Sequence, residues 1–124
     1  MSESNLSKMN PKIKKKWIEA LRSRKYKQCQ KYLHNETGYC CLGVLCDLHS
    51  KTKNGSKFEK VANFADEIMY SYLDEDGELP QEVVEWAGLD SNDPELTTDG
   101  RSASELNDNG KKFYEIADYI ERNL

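Results

Sequence analysis

Six side chains able to ligate a metal or to act as nucleophile and base, Cys29, His34, Cys40, Cys41, Cys46 and His49, crowd into a 21-residue window. Cys46 and His49 have the C-x2-H spacing that zinc can use. The window lacks a C-x2-C pair, and Cys40, Cys41 and Cys46 fall within the apolar run 39–48. A free cysteine in such a run packs as a small hydrophobe, and adjacent cysteines seldom reach disulfide geometry. Cysteine catalysis would need an exposed thiol, a histidine to deprotonate it and a group to orient that histidine. His34 falls in a turn and His49 near a helix end, where both are expected to be solvated. The reading is four structural cysteines, no metal, no cofactor and no catalytic residue. The carboxylates of Asp74, Glu75 and Asp76, and of Glu82 and Glu85, read as solvated charge. No Gly-rich phosphate loop, H-E-x-x-H or G-x-S-x-G motif occurs.

A second constellation is basic and aromatic: Arg22, Arg24, Lys25, Tyr26, Lys27, Gln28, Lys31 and Tyr32, shortly before Tyr39. A nucleotide site needs cations for phosphate and a flat ring or an amide for the base, and the Arg guanidinium matches phosphate with a planar fork. Arg22, Arg24, Tyr26, Lys27, Gln28, Lys31 and Tyr39 are therefore the candidate ligand-binding residues. The competing expectation is that Tyr26 and Tyr32 pack on the core with wet hydroxyls.

The formal net charge of −4 conceals a division along the chain. Residues 1–60 hold 14 Lys+Arg against 5 Asp+Glu, a balance of +9, while residues 61–124 hold 4 against 17, a balance of −13. From Lys8 to Lys31, ten cations face one acid, Glu19. Either the acidic half folds back and neutralises the basic half, each exposed pair contributing about 0–1 kcal/mol, or the basic face survives and concentrates phosphates. The acidic half repels long polyanions. This favours a small anionic ligand, or a protein partner of complementary charge, over duplex DNA.

The elements that position these groups can be read from periodicity. At 124 residues, 37% hydrophobic and 32% charged, the chain is sized for one domain. No apolar run approaches the roughly 20 residues that cross a bilayer, and residues 1–11 lack a secretory apolar core. A cytoplasmic location with reduced cysteines and no membrane partner is expected. Residues 1–9 read as a flexible N-terminal segment and 10–124 as the domain.

Asn10-Pro11 opens a helix whose Ile13, Trp17, Ala20 and Leu21 recur at helical spacing to about Ser23, with Lys12, Lys15, Lys16 and Arg22 on the other face. Asn35, Thr37 and Gly38 supply turn chemistry for a small hairpin between 31–33 and Tyr39. Cys41, Leu45 and Leu48 share a helix face, and that helix ends before Asn54-Gly55. Gly43 costs about 1 kcal/mol relative to Ala inside a helix, so a neighbouring element is expected close by. For 58–79 two readings stand: a helix through Phe58, Val61, Ala65, Ile68 and Tyr72, or a hairpin about the turn 74–78. Leu79-Pro80 opens a short helix with Val83, Val84, Trp86 and Ala87 inward, stopped by Gly88. Residues 90–100 read as a polar loop with a short strand at 96–98, and Phe113, Ile116, Ala117, Ile120 and Leu124 mark a last helix. The expected fold is α+β: a single compact domain of three or four helices packed on a small antiparallel hairpin or sheet, the first and last helices resting on 40–48.

Trp17-Ile18-Glu19-Ala20-Leu21-Arg22-Ser23 with Tyr26 and Gln28, the run 39–48 (YCCLGVLCDL), Leu79-Pro80 with Val84, Trp86 and Gly88-Leu89, and Leu106-Asn107-Asp108 with Gly110, Phe113, 115–118 and Ile120 together resemble a family of small proteins of tailed bacteriophages and prophages. The cysteine-rich run is the specific part. Arg24 departs from the pattern, where Gly is expected after the first helix, and leaves that helix's stop open. The resemblance implies a phage setting and no particular chemistry. The expected function is a noncatalytic phage-encoded binding protein, acting on host physiology or defence by sequestering a small anionic signal such as a cyclic nucleotide. The alternatives are an inhibitor that binds a host protein through a charged face, then an RNA-binding module, then a cysteine-dependent enzyme.

Overall fold

The computed structural model describes residues 9–62 and 67–124. The Asn10 side chain caps α1 (Pro11–Arg22), accepting from the amides of Lys12 and Ile13, and Pro11 takes the first helical position, where an N–H would lack a helical partner anyway. Then follow β1 (His34–Asn35), α2 (Cys41–Ser50), β2 (Phe58–Ala62), β3 (Ile68–Tyr72), α3 (Gln81–Ala87), α4 (Ala103–Asp108) and α5 (Phe113–Asn123). The chain is a single α+β domain that combines these helices, packed chiefly on one another, with a three-stranded antiparallel sheet of order β1-β3-β2.

The core is built on α2. Cys41, Leu42, Val44, Leu45 and Cys46 are fully buried there. Trp17 of α1 is fully buried as well, and its indole N–H donates to the Cys41 carbonyl at 2.9 Å, so the largest core side chain carries its own polar partner. Ile116, Ala117 and Ile120 bury one stripe of α5, and Arg22 ties the outer edges of α1 and α5 by donating to Asp118 at 2.7 Å and Glu121 at 2.9 Å. The close neighbour expected at Gly43 is Leu33: a Cβ at position 43 would stand 1.7 Å from the Leu33 carbonyl oxygen. Only glycine lets the chain before α2 lie directly on that helix.

Four expectations need correction. Five helices form among the described residues, the extra one being α4, where the Ser102 hydroxyl accepts from the Glu105 amide and the Glu105 carboxylate accepts from the Ser102 amide. In 58–79 neither reading holds as stated: the helix does not form, and the hairpin joins β2 to β3 ahead of 74–78, where the bridge of Tyr72 to Glu75 closes only a tight turn. Phe58, Lys60 and Ala62 of β2 face Tyr72, Tyr70 and Ile68 of β3 in register, and Ala65 lies outside the described residues. The tyrosines alternate along β3, and that period of two prevails. The small hairpin at 31–39 shrinks to a tight turn: His34 bridges Tyr39, while β1 itself pairs with β3. At 96–98 no strand forms; Glu95 bridges Ser102, and Leu96 is fully buried. The proposed flexible segment falls outside the described residues except for Met9, which is 2% exposed and belongs to the core.

Of the lysines and arginines in 1–60, Arg22 alone reaches an acid of the other half among the described residues; Lys51 pairs with Asp47 on its own helix. Lys12, Lys15, Lys16, Lys25 and Lys27 are exposed and make no ion pair with any described residue. The basic face therefore survives folding. Among the described residues no helix is long and apolar enough to cross a membrane.

Candidate functional site

The chemistry-bearing window is interior. All four cysteines are free and buried. Cys40 caps α2 through a sulfur that accepts from the Gly43 amide at 3.4 Å, and the Cys41 and Cys29 thiols donate to the carbonyls of Ala103 and Tyr32, each at 3.5 Å. Burial pushes the Cys29 thiol up to about 11 and Cys40 to about 12, and holds Cys41 and Cys46 well above the usual range. Each is a protonated thiol at neutral pH, the poorly nucleophilic form. Among the described residues, no three His, Cys, Asp or Glu side chains converge as metal ligands.

Neither histidine is solvated as expected. His49 is 2% exposed because the β2–β3 hairpin and α3 cover the end of α2. Its Nδ1 lies 2.6 Å from the Tyr72 hydroxyl and its Nε2 3.5 Å from Glu82, with the Trp86 ring edge-on at 4.9 Å. Burial lowers its pKa, and Glu82 acts in the opposite sense. His34 is half-buried and stacks between Tyr39, at 3.9 Å, and Tyr70, at 4.5 Å, its Nδ1 donating to the Gly38 carbonyl at 2.7 Å.

The seven basic and aromatic candidates divide. Tyr26, Lys27 and Tyr39 come together: the Tyr39 amide donates to the Lys27 carbonyl at 2.8 Å, and the two tyrosine rings meet edge to face at 5.2 Å. The Tyr26 hydroxyl donates to Asp47 at 2.5 Å, and burial, then this carboxylate, raises its pKa. Tyr26 thus packs on the core as the competing expectation had it, but its hydroxyl is held by Asp47 rather than wet, and the Tyr32 hydroxyl donates to Glu67 at 3.0 Å. Arg22 is held by α5. Arg24 and Lys31 are exposed, with positive φ of 66° and 76°, and the Lys31 amide donates to Asp108 at 2.9 Å.

Two of the seven enter concave sites: Arg22 lines a shallow one of about 480 Å³ between α1 and α5, where Glu19 and Glu121 stand beside it, and Gln28 lines another. With Gln30, Asn35, Thr37 and Lys112 it lines an open cleft of about 320 Å³, whose wall is completed by Cys29 and Gly110. Behind it sits Asn107, fully buried, which accepts from the Gln28 side-chain amide at 2.9 Å and the Cys41 amide at 3.1 Å, and donates to the Cys29 carbonyl at 2.8 Å. Gln28 spends its other amide hydrogen on the Lys111 carbonyl at 2.8 Å, so its Oε1 is the uncommitted atom. Asn35 is held the opposite way round: its Oδ1 accepts from the amides of Thr37 at 2.8 Å and Gly38 at 3.1 Å, leaving its NH2 as donor. The result is a polar cleft with a pre-set acceptor, a pre-set donor, a hydroxyl and one cation. His34 and Asn35 are successive strand residues and face opposite ways, so the aromatic stack and the cleft lie on either side of the 35–38 turn.

Sequence reasoning found Gln28 and saw Asn35 and Thr37 only as turn formers. Lys112 and Asn107 arrive from more than 70 residues away, and nothing local announces them. The model of a family described as a domain of unknown function, DUF8296, matches residues 9–124, beginning at the first core residue, Met9. No curated protein and no solved structure matches the chain.

Proposed function

The chain belongs to the DUF8296 family, and we propose that it is a noncatalytic binding protein whose cleft at Gln28 captures a small anionic nucleotide. The observation that carries this reading is the pairing of oriented amides with Lys112 in a cleft of about 320 Å³, at the lower end of small-ligand sites, which span about 300–1,000 Å³. Lys27 and Lys31, exposed on the segment that forms one wall, add positive potential at the mouth. Of the carboxylates close by, Asp108 is engaged by the Lys31 amide and the Asn107 side chain and Glu115 by the Lys112 amide, while Glu36, between Asn35 and Thr37, is exposed on the turn. Four protonated, buried thiols favour holding a ligand over making or breaking its bonds. The resemblance of 39–48 to tailed-phage proteins supports a setting in the host cytoplasm, where such capture would withhold a signal from host defence.

Isothermal titration and thermal shift with mono- and cyclic nucleotides test the reading. Binding that weakens in Lys112→Glu is expected; a panel that neither binds nor shifts the melting temperature would remove it. A host protein docked on the basic face is the second reading, favoured by exposed Lys12, Lys15 and Lys16, which make no ion pair with any described residue. A stoichiometric partner recovered from host lysate at low salt and lost in Lys15→Glu/Lys16→Glu would establish it.

A further inference from the structure

We infer that Gln28 and Asn35 read the hydrogen-bonding edge of a nucleobase, so that the cleft selects a nucleoside monophosphate over the bare sugar phosphate. The inference rests on the capture reading and adds the part of the ligand that decides selectivity. Its basis is the opposite commitment of two amides on one cleft. Gln28 gives both amide hydrogens to Asn107 and Lys111 and presents only a carbonyl oxygen. Asn35 gives its oxygen to the Thr37 and Gly38 amides and presents only N–H donors. Neither amide can flip without breaking two hydrogen bonds, so the polarity of the site is fixed before a ligand arrives.

An acceptor and a donor lining one cleft complement a base edge, which carries an N–H donor next to a ring nitrogen or carbonyl acceptor. A phosphate monoester dianion and a carboxylate offer acceptors alone and would leave the Gln28 oxygen facing a like dipole. The anionic end of the ligand then falls to Lys112, the one charged side chain on the cleft wall. The cleft volume of about 320 Å³ suits one nucleotide and excludes a dinucleotide with both bases seated.

Asn35→Asp provides the test, because Asp keeps the oxygen that holds the 35–38 turn and replaces the donor with a second acceptor. Wild type and variant are titrated with the four ribonucleoside 5′-monophosphates, cyclic AMP, ribose 5-phosphate and inorganic phosphate. At least one nucleotide should bind wild type about tenfold more tightly than ribose 5-phosphate, and Asn35→Asp should abolish that ratio. Ribose 5-phosphate reports separately on simple charge repulsion in the variant. On the wild type, the side-chain amide resonances of Gln28 and Asn35 should shift with the nucleotide and stay in place with ribose 5-phosphate, a readout that does not depend on the variant folding. Equal binding of nucleotide and ribose 5-phosphate, or a ratio that survives Asn35→Asp, would overturn base reading and leave anion capture standing. Binding of no compound would remove both.

Discussion

His49 accepts a hydrogen bond on Nδ1 from the Tyr72 hydroxyl at 2.6 Å, and this contact decides where the imidazole carries its proton. The Tyr72 oxygen already accepts from the Ser56 amide at 2.9 Å, so its own hydrogen goes to Nδ1 and the ring proton sits on Nε2, facing Glu82. The relay joins α2, the loop before β2, β3 and α3. Protonating Nδ1 would set two donors against one phenol oxygen and strand the phenol hydrogen.

The relay predicts a pH dependence. Burial lowers the folded pKa of His49 against the opposing effect of Glu82, so the unfolded chain takes up the proton first. Stability therefore rises with pH in this range: the contribution is whole above the unfolded value of about 6.5 and is lost as pH falls from there toward the lower folded value. The melting temperature should drop between about pH 7.5 and about pH 5.5, and drop less in His49→Gln. An equal drop in that variant would place the titration elsewhere. Tyr72→Phe, which strands the Ser56 amide, should cost about 1–2 kcal/mol in urea unfolding at neutral pH.

Asn107 is the buried clamp between α4, the start of α2 and the Gln28 segment. Asn107→Ala leaves the Cys41 amide, the Cys29 carbonyl and the Gln28 amide without their partner, and should cost about 3 kcal/mol or more by urea unfolding. A loss below about 1 kcal/mol would show that water replaces the clamp. Because Gln28 loses one of its two anchors and keeps only the Lys111 carbonyl, ligand affinity should fall in any fraction that still folds.

Arg24 stops α1 in a left-handed conformation, φ 66°, that a side chain disfavours. Relief of that strain, offset in part by the entropy of glycine in the unfolded chain, makes Arg24→Gly stabilising by about 0.5 kcal/mol. Calorimetry should show a raised melting temperature. A lowered one would mean that the guanidinium holds a contact worth more than the strain.

The four thiols should resist labelling. With Cys29 at about 11, Cys40 at about 12 and the other two held well above the usual thiol range by burial, an aromatic disulfide reagent at about pH 8 should find no fast-reacting group in the native protein. All four should react once the chain is unfolded. A single rapid thiol under native conditions would reopen cysteine chemistry, with Cys29 at the cleft wall the first to examine.

The helices were legible wherever a single face had to be apolar. The Asn10-Pro11 start, the buried run of α2, the Gly88 stop and the stripe of α5 are all local signals. The β2–β3 hairpin was not, because Phe58, Val61, Ile68 and Tyr72 recur at helical spacing and only the pairing across the two strands overrides it. The α4 helix had a signal in Ser102-x-x-Glu105 that the surrounding polar residues masked. For the site, one residue of seven was placed in the cleft. Composition identifies cations and rings, but cannot show that Arg22 is claimed by α5 or that the donors of Gln28 are consumed by Asn107. His49 was misjudged for the same reason, since the elements that enclose it lie farther along the chain.

Gly43 has a mechanical consequence. With the Leu33 backbone seated on α2 at a distance no side chain would allow, the wall bearing Gln28, Gln30 and Asn35 has a hard backstop. The opposite rim, at Gly110, has open space within 4 Å of where a Cβ would be. If the cleft holds a ligand as proposed, a bulkier guest is expected to extend past the open α4–α5 corner rather than displace the fixed wall, as work held in a vice overhangs its free side.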